Sequence, residues 1–167
     1  MRRFTTRDLA VAAVTAALYA VLGYFGDLFG LTFGPIQIRF AEALTVLPFL
    51  FPAAAPGLAL GCLITNLLSP YGPIDVVFGT LATAIAAWLT VKMPRWYLAA
   101  LPPVLVNLIV LPPIWAWAEV GAMGAAFWRA WGWNCVTFAV GEALACWVLG
   151  TALLKGLERI PALKKTE

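Results

Sequence analysis

Long apolar stretches without charged side chains dominate this chain and limit what it can fold into. The first of them lies between Asp8 and Phe25. Of the 167 residues, 63% are hydrophobic and only 11% are charged, whereas a soluble domain carries roughly 25% charged residues. A water-soluble protein of this size could not hide so much apolar surface from solvent. The composition therefore predicts an integral membrane protein whose outer surface faces lipid.

The apolar stretches divide into six segments. A membrane-spanning helix needs about 20 residues, so a chain of this length holds at most six or seven spans. We predict a single all-α transmembrane domain over residues 1–167, a six-helix bundle with almost no soluble part. The predicted spans are residues 8–25, 39–52, 56–68, 73–91, 96–117 and 129–154.

Helix start and stop signals accompany these spans. Thr6 or Asp8 can cap the first helix, and Gly23 and Gly26 are expected to mark its end. The second and third spans are short, so we expect them to be tilted or sheltered by neighbouring helices. Proline pairs at 102–103 and 112–113 should kink the fifth span or fray its ends. Loops are expected at residues 26–38, 69–73 and 119–128.

Lysine and arginine predict the orientation. Six spans put both termini on one side, and nine of the eleven basic residues fall there: Arg2, Arg3, Arg7, Lys92, Arg95, Lys155, Arg159, Lys164 and Lys165. Only Arg39 and Arg129 fall on the other side. The positive-inside rule therefore predicts cytoplasmic termini. An aromatic belt is expected near the span ends from Trp96, Tyr97, Trp115, Trp117, Trp128 and Trp131.

Several function classes are excluded by what the sequence lacks. It has no histidine, no P-loop for ATP and no HExxH or GxSxG motif. The three cysteines form no CxxC pair and are interpreted as packing residues. The net charge of +3 is attributed to orientation and not to nucleic-acid binding. The two halves show no convincing inverted repeat, which weakens a self-sufficient secondary transporter. We therefore predict a small-molecule binder that is not an enzyme and needs no cofactor or metal.

Polar residues inside the apolar segments are the candidate site, because such groups are expensive within a bilayer. The ionisable candidates are Arg39, Glu42, Asp75 and Glu142, and the amides are Gln37, Asn66, Asn107 and Asn134. Trp131 and Asn134 share one broad helical face near Glu142, which could line a pocket.

Each candidate also has a structural interpretation. Glu142 could fasten helices by bonding to Asn107 or Thr83. Arg39 and Glu42, three residues apart, could form an interfacial ion pair. Asp75 could simply cap its helix, and Asn66 could be a helix stop. The sequence leaves these alternatives open.

Small residues repeat along the first span on two adjacent faces. One face carries Ala12, Ala16 and Ala20, and the other carries Ala13 and Ala17. Small-xxx-small spacing lets another helix approach closely. These residues could serve packing within this bundle, contact with a partner, or both.

Four segments of the chain resemble the QueT family. They are residues 33–48 (FGPIQIRFAEALTVLP), 57–66 (GLALGCLITN), 75–83 (DVVFGTLAT) and 141–143 (GEA). Members of this family are substrate-binding S-components of energy-coupling factor (ECF) transporters. The resemblance implies a prokaryotic plasma-membrane protein that captures a queuosine precursor from outside. A T-subunit and two ATPase subunits would drive uptake, with the small-residue face of the first helix against the T-subunit.

Queuosine precursors are 7-deazaguanines: queuine, or its cyano and aminomethyl precursors. Their guanine-like edge offers N–H donors and one carbonyl acceptor, which carboxylates and amides can match. We expect Glu142 to bind the base edge with help from Asn134. The remaining candidates are further acceptors and amides, and the stacking surfaces are Trp131, Phe33 and Tyr71. The alternatives are an S-component for another vitamin-like ligand, or a stand-alone proton- or ion-coupled transporter that uses Glu142 and Asp75.

Overall fold

Backbone polar groups in an apolar environment must be paired within the chain, and helices achieve this locally. In the computed structural model, which describes residues 4–32 and 37–160, every regular element of the described residues is helical. The elements are α1 (Thr6–Leu28), a 3-10 helix (Phe40–Phe49), α2 (Ala54–Asn66), α3 (Pro73–Val91), a short 3-10 turn (Trp96–Leu98), α4 (Leu101–Val120), α5 (Ala125–Ala143), a π-helix (Leu144–Gly150) and α6 (Thr151–Glu158).

Helix α1 starts with a capping box. The Thr5 hydroxyl accepts a hydrogen bond from the Asp8 N–H at 3.2 Å, and the Asp8 carboxylate accepts one from the Thr5 N–H at 2.9 Å. Asp8 thus takes part as expected, while the N-cap is Thr5 and not Thr6. The prediction that Gly23 and Gly26 end the helix is wrong, since both are buried inside it.

Four stretches among the described residues are long and apolar enough to cross a membrane. They are Thr6–Leu28, Pro73–Val91, Trp96–Val120 and Ala125–Glu158. The predicted second and third spans form the shorter helices Phe40–Phe49 and Ala54–Asn66. Each is about 20 Å long, against a hydrocarbon thickness of about 30 Å.

The helix Phe40–Phe49 also corrects the expectation of an ordinary helix there. Ten residues of 3-10 geometry is unusual, because its hydrogen bonds are poorer than those of an α-helix. All its residues except Phe40 are buried. Packing on every side therefore holds it in this geometry, which agrees with a sheltered segment.

The later segments differ from the prediction at their ends. The loop predicted at residues 119–128 shrinks to 121–124, because α4 continues to Val120 and α5 begins at Ala125. The first proline pair lies in the first turn of α4, where the missing N–H costs least, and the second lies inside the helix. The last helical stretch continues through the π-helix to Glu158.

Helices that follow one another in the chain alternate in direction, so α1 and α2, which are separated by the 3-10 helix, run parallel. Gly57 lies against the Ala12 carbonyl, and Gly61 lies against Ala16 and Tyr19. Any side chain on Gly57 would collide with the Ala12 backbone, so glycine permits this close approach. Helices α2, α3, α4 and α5 follow one another antiparallel, as shown by the pairs 66–75, 90–99 and 119–134.

Candidate functional site

Four charged residues are buried in the interior, although burying a charged side chain costs more free energy than burying an apolar one. Arg39, Glu42, Asp75 and Glu142 are each at most 2% exposed. Three of the four buried amide side chains accompany them, and the fourth, Asn134, lies elsewhere. We call these seven residues the buried polar cluster: Gln37, Arg39, Glu42, Asn66, Asp75, Asn107 and Glu142.

The first part of the cluster is an ion pair at the start of the 3-10 helix. Arg39 Nε lies 3.4 Å from Glu42 Oε1, which agrees with the spacing-based expectation. Tyr19 of α1 donates its hydroxyl proton to the same carboxylate oxygen at 2.5 Å. Sequence reasoning missed Tyr19, which is fully buried and lies on the face of α1 that carries Ala12 and Ala16.

Asn66 joins this ion pair to α3. Arg39 Nη2 donates to Asn66 Oδ1 at 3.3 Å, and Asn66 Nδ2 donates to the Asp75 carbonyl at 3.1 Å and to Cys62 Sγ at 3.3 Å. Asn66 is the last residue of α2. It is therefore a connector between three elements and more than a helix stop.

Asp75 lies in the first turn of α3 but makes no side-chain capping bond there. Its Oδ1 accepts a hydrogen bond from Trp115 Nε1 of α4 at 3.0 Å. Trp115 is only 1% exposed, so its assignment to an aromatic belt is wrong. The spacing of four residues from Asn107 through Leu111 to Trp115, which repeats on one helical face, was the available signal.

Glu142 takes one hydrogen bond from a facing helix. Asn107 Nδ2 of α4 donates to Glu142 Oε1 at 2.8 Å, so the first of the two proposed fastener bonds exists. Thr83, the other suggested partner, donates to Cys62 Sγ instead. Gly141 brings the Gln37 backbone against α5 beside Glu142, because a side chain at this position would overlap the Gln37 carbonyl.

Six cluster residues carry a buried polar atom without a hydrogen-bond partner among the described residues. Five of these atoms are acceptors and one is a donor. They are Gln37 Oε1, Glu42 Oε2, Asp75 Oδ2, Asn107 Oδ1 and Glu142 Oε2 as acceptors, and Arg39 Nη1 as the donor. Each such atom costs about 1–3 kcal/mol when left unpaired. A ligand with several N–H donors and one acceptor would complement these six unpartnered atoms.

An aromatic wall adjoins the cluster at Asp75. The Trp115 ring stacks on Tyr71 with centroids 5.5 Å apart, and meets Phe138 edge-on at 5.3 Å. Tyr71 was expected as a stacking surface, and it stacks on Trp115, which the sequence had assigned to an aromatic belt. These rings shield the Asp75 side of the cluster from solvent and lipid.

A polar bridge lies beyond this wall. Glu119 Oε1 accepts hydrogen bonds from the Tyr71 hydroxyl at 3.0 Å and from Asn134 Nδ2 at 3.2 Å. Burial raises the pKa of the Tyr71 hydroxyl, and its hydrogen bond to Glu119 raises it further. Tyr71 therefore stays protonated and donates. Sequence reasoning missed Glu119 because it was assigned to a loop.

Three expected site residues lie elsewhere or outside the described part. Asn134 belongs to this bridge and not to Glu142. Trp131 packs against Phe127 and Trp128, with centroids 6.1 and 5.2 Å away. Phe33 lies outside the described residues. Among residues 4–32 and 37–160, no group of three or more His, Cys, Asp or Glu side chains could hold a metal ion.

The alanines of α1 separate into two roles. Ala16 is buried and Ala12 half-buried, and both pack on α2. Ala13 and Ala17 are exposed. Ala20 lines an apolar groove of about 450 Å³ between α1 and α2, together with Val21, Tyr24, Phe25, Ile64, Thr65, Leu67 and Leu68.

Comparison with known proteins agrees with the resemblance seen in the sequence. A family model described as "QueT transporter" matches residues 9–159. The chain is 34% identical over 85 residues to the "Queuosine precursor transporter QueT" of Lactococcus lactis subsp. cremoris (strain MG1363). That alignment covers 51% of this chain and 50% of the relative, so the chain matches about half the length of this curated protein. No solved structure matches the chain.

Proposed function

Because this chain belongs to the QueT transporter family, we propose that it captures a queuosine precursor as the substrate-binding S-component of an ECF importer. The observation that carries the proposal is the set of unpartnered atoms in the buried polar cluster, five acceptors and one donor. The name of the Lactococcus relative supports the same substrate class.

The guanine-like edge of a 7-deazaguanine complements this set. Its ring N–H and exocyclic amine can donate side by side to the carboxylate of Glu142, with charge assistance. Its carbonyl can accept from Arg39 Nη1. Asn107 holds the other oxygen of Glu142, which fixes the orientation of the carboxylate. Glu142 is therefore our choice for the base edge.

The membrane arrangement we propose has six crossings of one domain and cytoplasmic termini in a prokaryotic plasma membrane. The two short helices would complete the four long ones, and the alternating helix directions support this count. The ammonium of Lys155 lies 4.4 Å from the Trp96 ring centroid, so the basic end of α6 and the basic 92–95 connection lie at the same end of the bundle. This supports a cytoplasmic end rich in Lys and Arg.

Energy would come from other subunits. The sequence contains no P-loop, which supports dependence on two ATPase subunits and a T-subunit. The exposed Ala13 and Ala17 form the face of α1 that is free for the T-subunit, whereas Ala12 and Ala16 are engaged with α2. Ala20 at the α1–α2 groove could extend that face.

Mass spectrometry of ligands that co-purify with the chain is the direct test. We expect a 7-deazaguanine. A vitamin in its place would instead indicate an S-component for another ligand, and would contradict the substrate assignment.

One rival function has a specific observation behind it. Asp75 and Glu142 each have an unpartnered oxygen, and acidic side chains within the membrane form the proton relays of many pumps and transporters. Uptake into liposomes distinguishes the two mechanisms. Uptake of a queuosine precursor only with the T-subunit, ATPase subunits and ATP supports the ECF mechanism, and uptake by the single chain along a proton gradient would contradict it.

A further inference from the structure

The buried polar cluster contains more acidic than basic groups. Arg39 is the one buried basic residue among those the structure describes, and it faces three buried carboxylates, those of Glu42, Asp75 and Glu142. With every group ionised, the formal charge is 1 − 3 = −2. Buried charges without a counter-charge are strongly unfavourable.

The imbalance is concentrated at two places. Glu42 has Arg39 as its ion-pair partner. Asp75 and Glu142 receive only neutral donors, the Trp115 indole and the Asn107 amide, and each keeps one unpartnered oxygen. Asp75 and Glu142 are therefore the two carboxylates of the cluster that lack a cationic partner.

The surroundings of these two carboxylates differ. Glu142 accepts a hydrogen bond from the Asn107 amide, and the Gln37 backbone lies against the preceding residue, Gly141. Asp75 is beside the Trp115 ring, which is itself stacked on Tyr71. The indole donates its N–H to Oδ1 and leaves Oδ2 buried and unpartnered, so the Asp75 side suits a positively charged group that donates to this oxygen.

We propose, on the basis of the function proposed above, that this site selects 7-deazaguanines that carry a protonated amine. The base edge lies on Glu142 and the ammonium lies on Asp75. The positive charge of the substrate thus offsets part of the negative charge that Arg39 alone does not neutralise. The ring edge satisfies only the carboxylate of Glu142, so a neutral substituent leaves Asp75 without a counter-charge.

The test compares two ligands that share one ring and differ in charge. Purified full-length chain in lipid nanodiscs is titrated with the aminomethyl 7-deazaguanine, a cation at neutral pH, and with the neutral cyano form. We expect the aminomethyl form to bind roughly tenfold to a hundredfold more tightly, the range for a hydrogen bond to a charged group. This comparison needs no variant.

The outcomes separate this inference from the proposed function. Equal affinity for the two ligands, or preference for the cyano form, would overturn the charge selection while leaving queuosine-precursor binding intact. If neither base binds, the proposed function fails and the charge selection fails with it.

A variant of Asp75 tests whether the ammonium of the substrate binds at this residue. Asp75→Asn keeps the oxygen that accepts from Trp115 but removes the charge. We expect this variant to bind the aminomethyl form more weakly and the cyano form as before, so that the ratio of the two affinities approaches one. Asp27→Asn, which removes a carboxylate at the end of α1 outside the cluster, should leave the ratio unchanged. An unchanged ratio in folded Asp75→Asn would overturn the assignment to Asp75.

Discussion

Trp115 Nε1 donates a 3.0 Å hydrogen bond to Asp75 Oδ1 across the interface of α4 and α3, in a fully buried setting. The bond holds one oxygen of Asp75 and leaves the other unpartnered. The same indole ring stacks on Tyr71 and contacts Phe138. One tryptophan thus connects the polar cluster to the aromatic wall.

Replacing Trp115 with phenylalanine tests this connection. Trp115→Phe removes the donor and part of the ring, so we expect a loss of about 1–3 kcal/mol in the free energy of unfolding. Thermal melting in detergent would measure the loss as a lower Tm. Trp117→Phe is the matched control, because Trp117 is 46% exposed. Equal melting of both variants would contradict the importance of the buried bond.

Replacing Glu142 with glutamine tests the base-binding role. The amide can still accept from Asn107, but it offers only one acceptor and turns a donor toward the donors of the base. We expect the affinity for a 7-deazaguanine to fall at least tenfold, as for a lost charge-assisted bond, while the fold is kept. Isothermal titration measures this affinity. Glu158→Gln on α6 is the control, and unchanged affinity in Glu142→Gln would rule out the assigned role.

Adding one methyl group at Gly141 tests the close approach to residue 37. A side chain there would overlap the Gln37 carbonyl, so Gly141→Ala should displace the segment that carries Arg39 and Glu42. We expect a lower Tm together with weaker ligand binding. Gly132→Ala on the same helix meets no atom within 4 Å and should stabilise by about 0.5–1 kcal/mol, because alanine is the better helix former. Similar effects of both changes would contradict this packing.

The exposed alanines of α1 test the proposed contact with the T-subunit. Ala13→Leu with Ala17→Leu should leave ligand binding intact and abolish co-purification with the T- and ATPase subunits, because large side chains prevent close helix approach. Ala126→Leu, an exposed position on α5, is the control and should still assemble. Normal assembly of the α1 double variant would exclude this face as the docking surface.

The bridge from Tyr71 to Glu119 tests whether the aromatic wall controls ligand exchange. Tyr71→Phe removes the hydroxyl and keeps the ring on Trp115, so we expect ligand dissociation to become a few-fold faster, in line with one bond of about 0.5–1.5 kcal/mol. Stopped-flow fluorescence would measure the rate. Tyr24→Phe, at a half-exposed ring on α1, is the control. Unchanged dissociation in Tyr71→Phe would mean that the bridge does not retain the ligand.

The amino-acid sequence was sufficient to predict the class of protein and the segments that form its helices. Apolar content is a local property that adds up along the chain, so the membrane character and the approximate positions of the helices follow from it. The cost of burying polar groups similarly pointed to Arg39, Glu42, Asp75 and Glu142. Helix ends were less accurate, because the glycines that suggest an end, such as Gly23 and Gly26, instead permit close packing against other elements.

The pairing of the polar groups could not be predicted in this way, and Asn107 was only one of two partners considered for Glu142. The bonds of Trp115 to Asp75, Asn107 to Glu142 and Tyr19 to Glu42 join residues 40, 35 and 23 positions apart. Which helices pack together determines these pairings, and no local pattern encodes them. The same holds for the alanines of α1, whose spacing is alike on both faces. The neighbouring helix α2, with its glycines, decides which face is covered and which stays free.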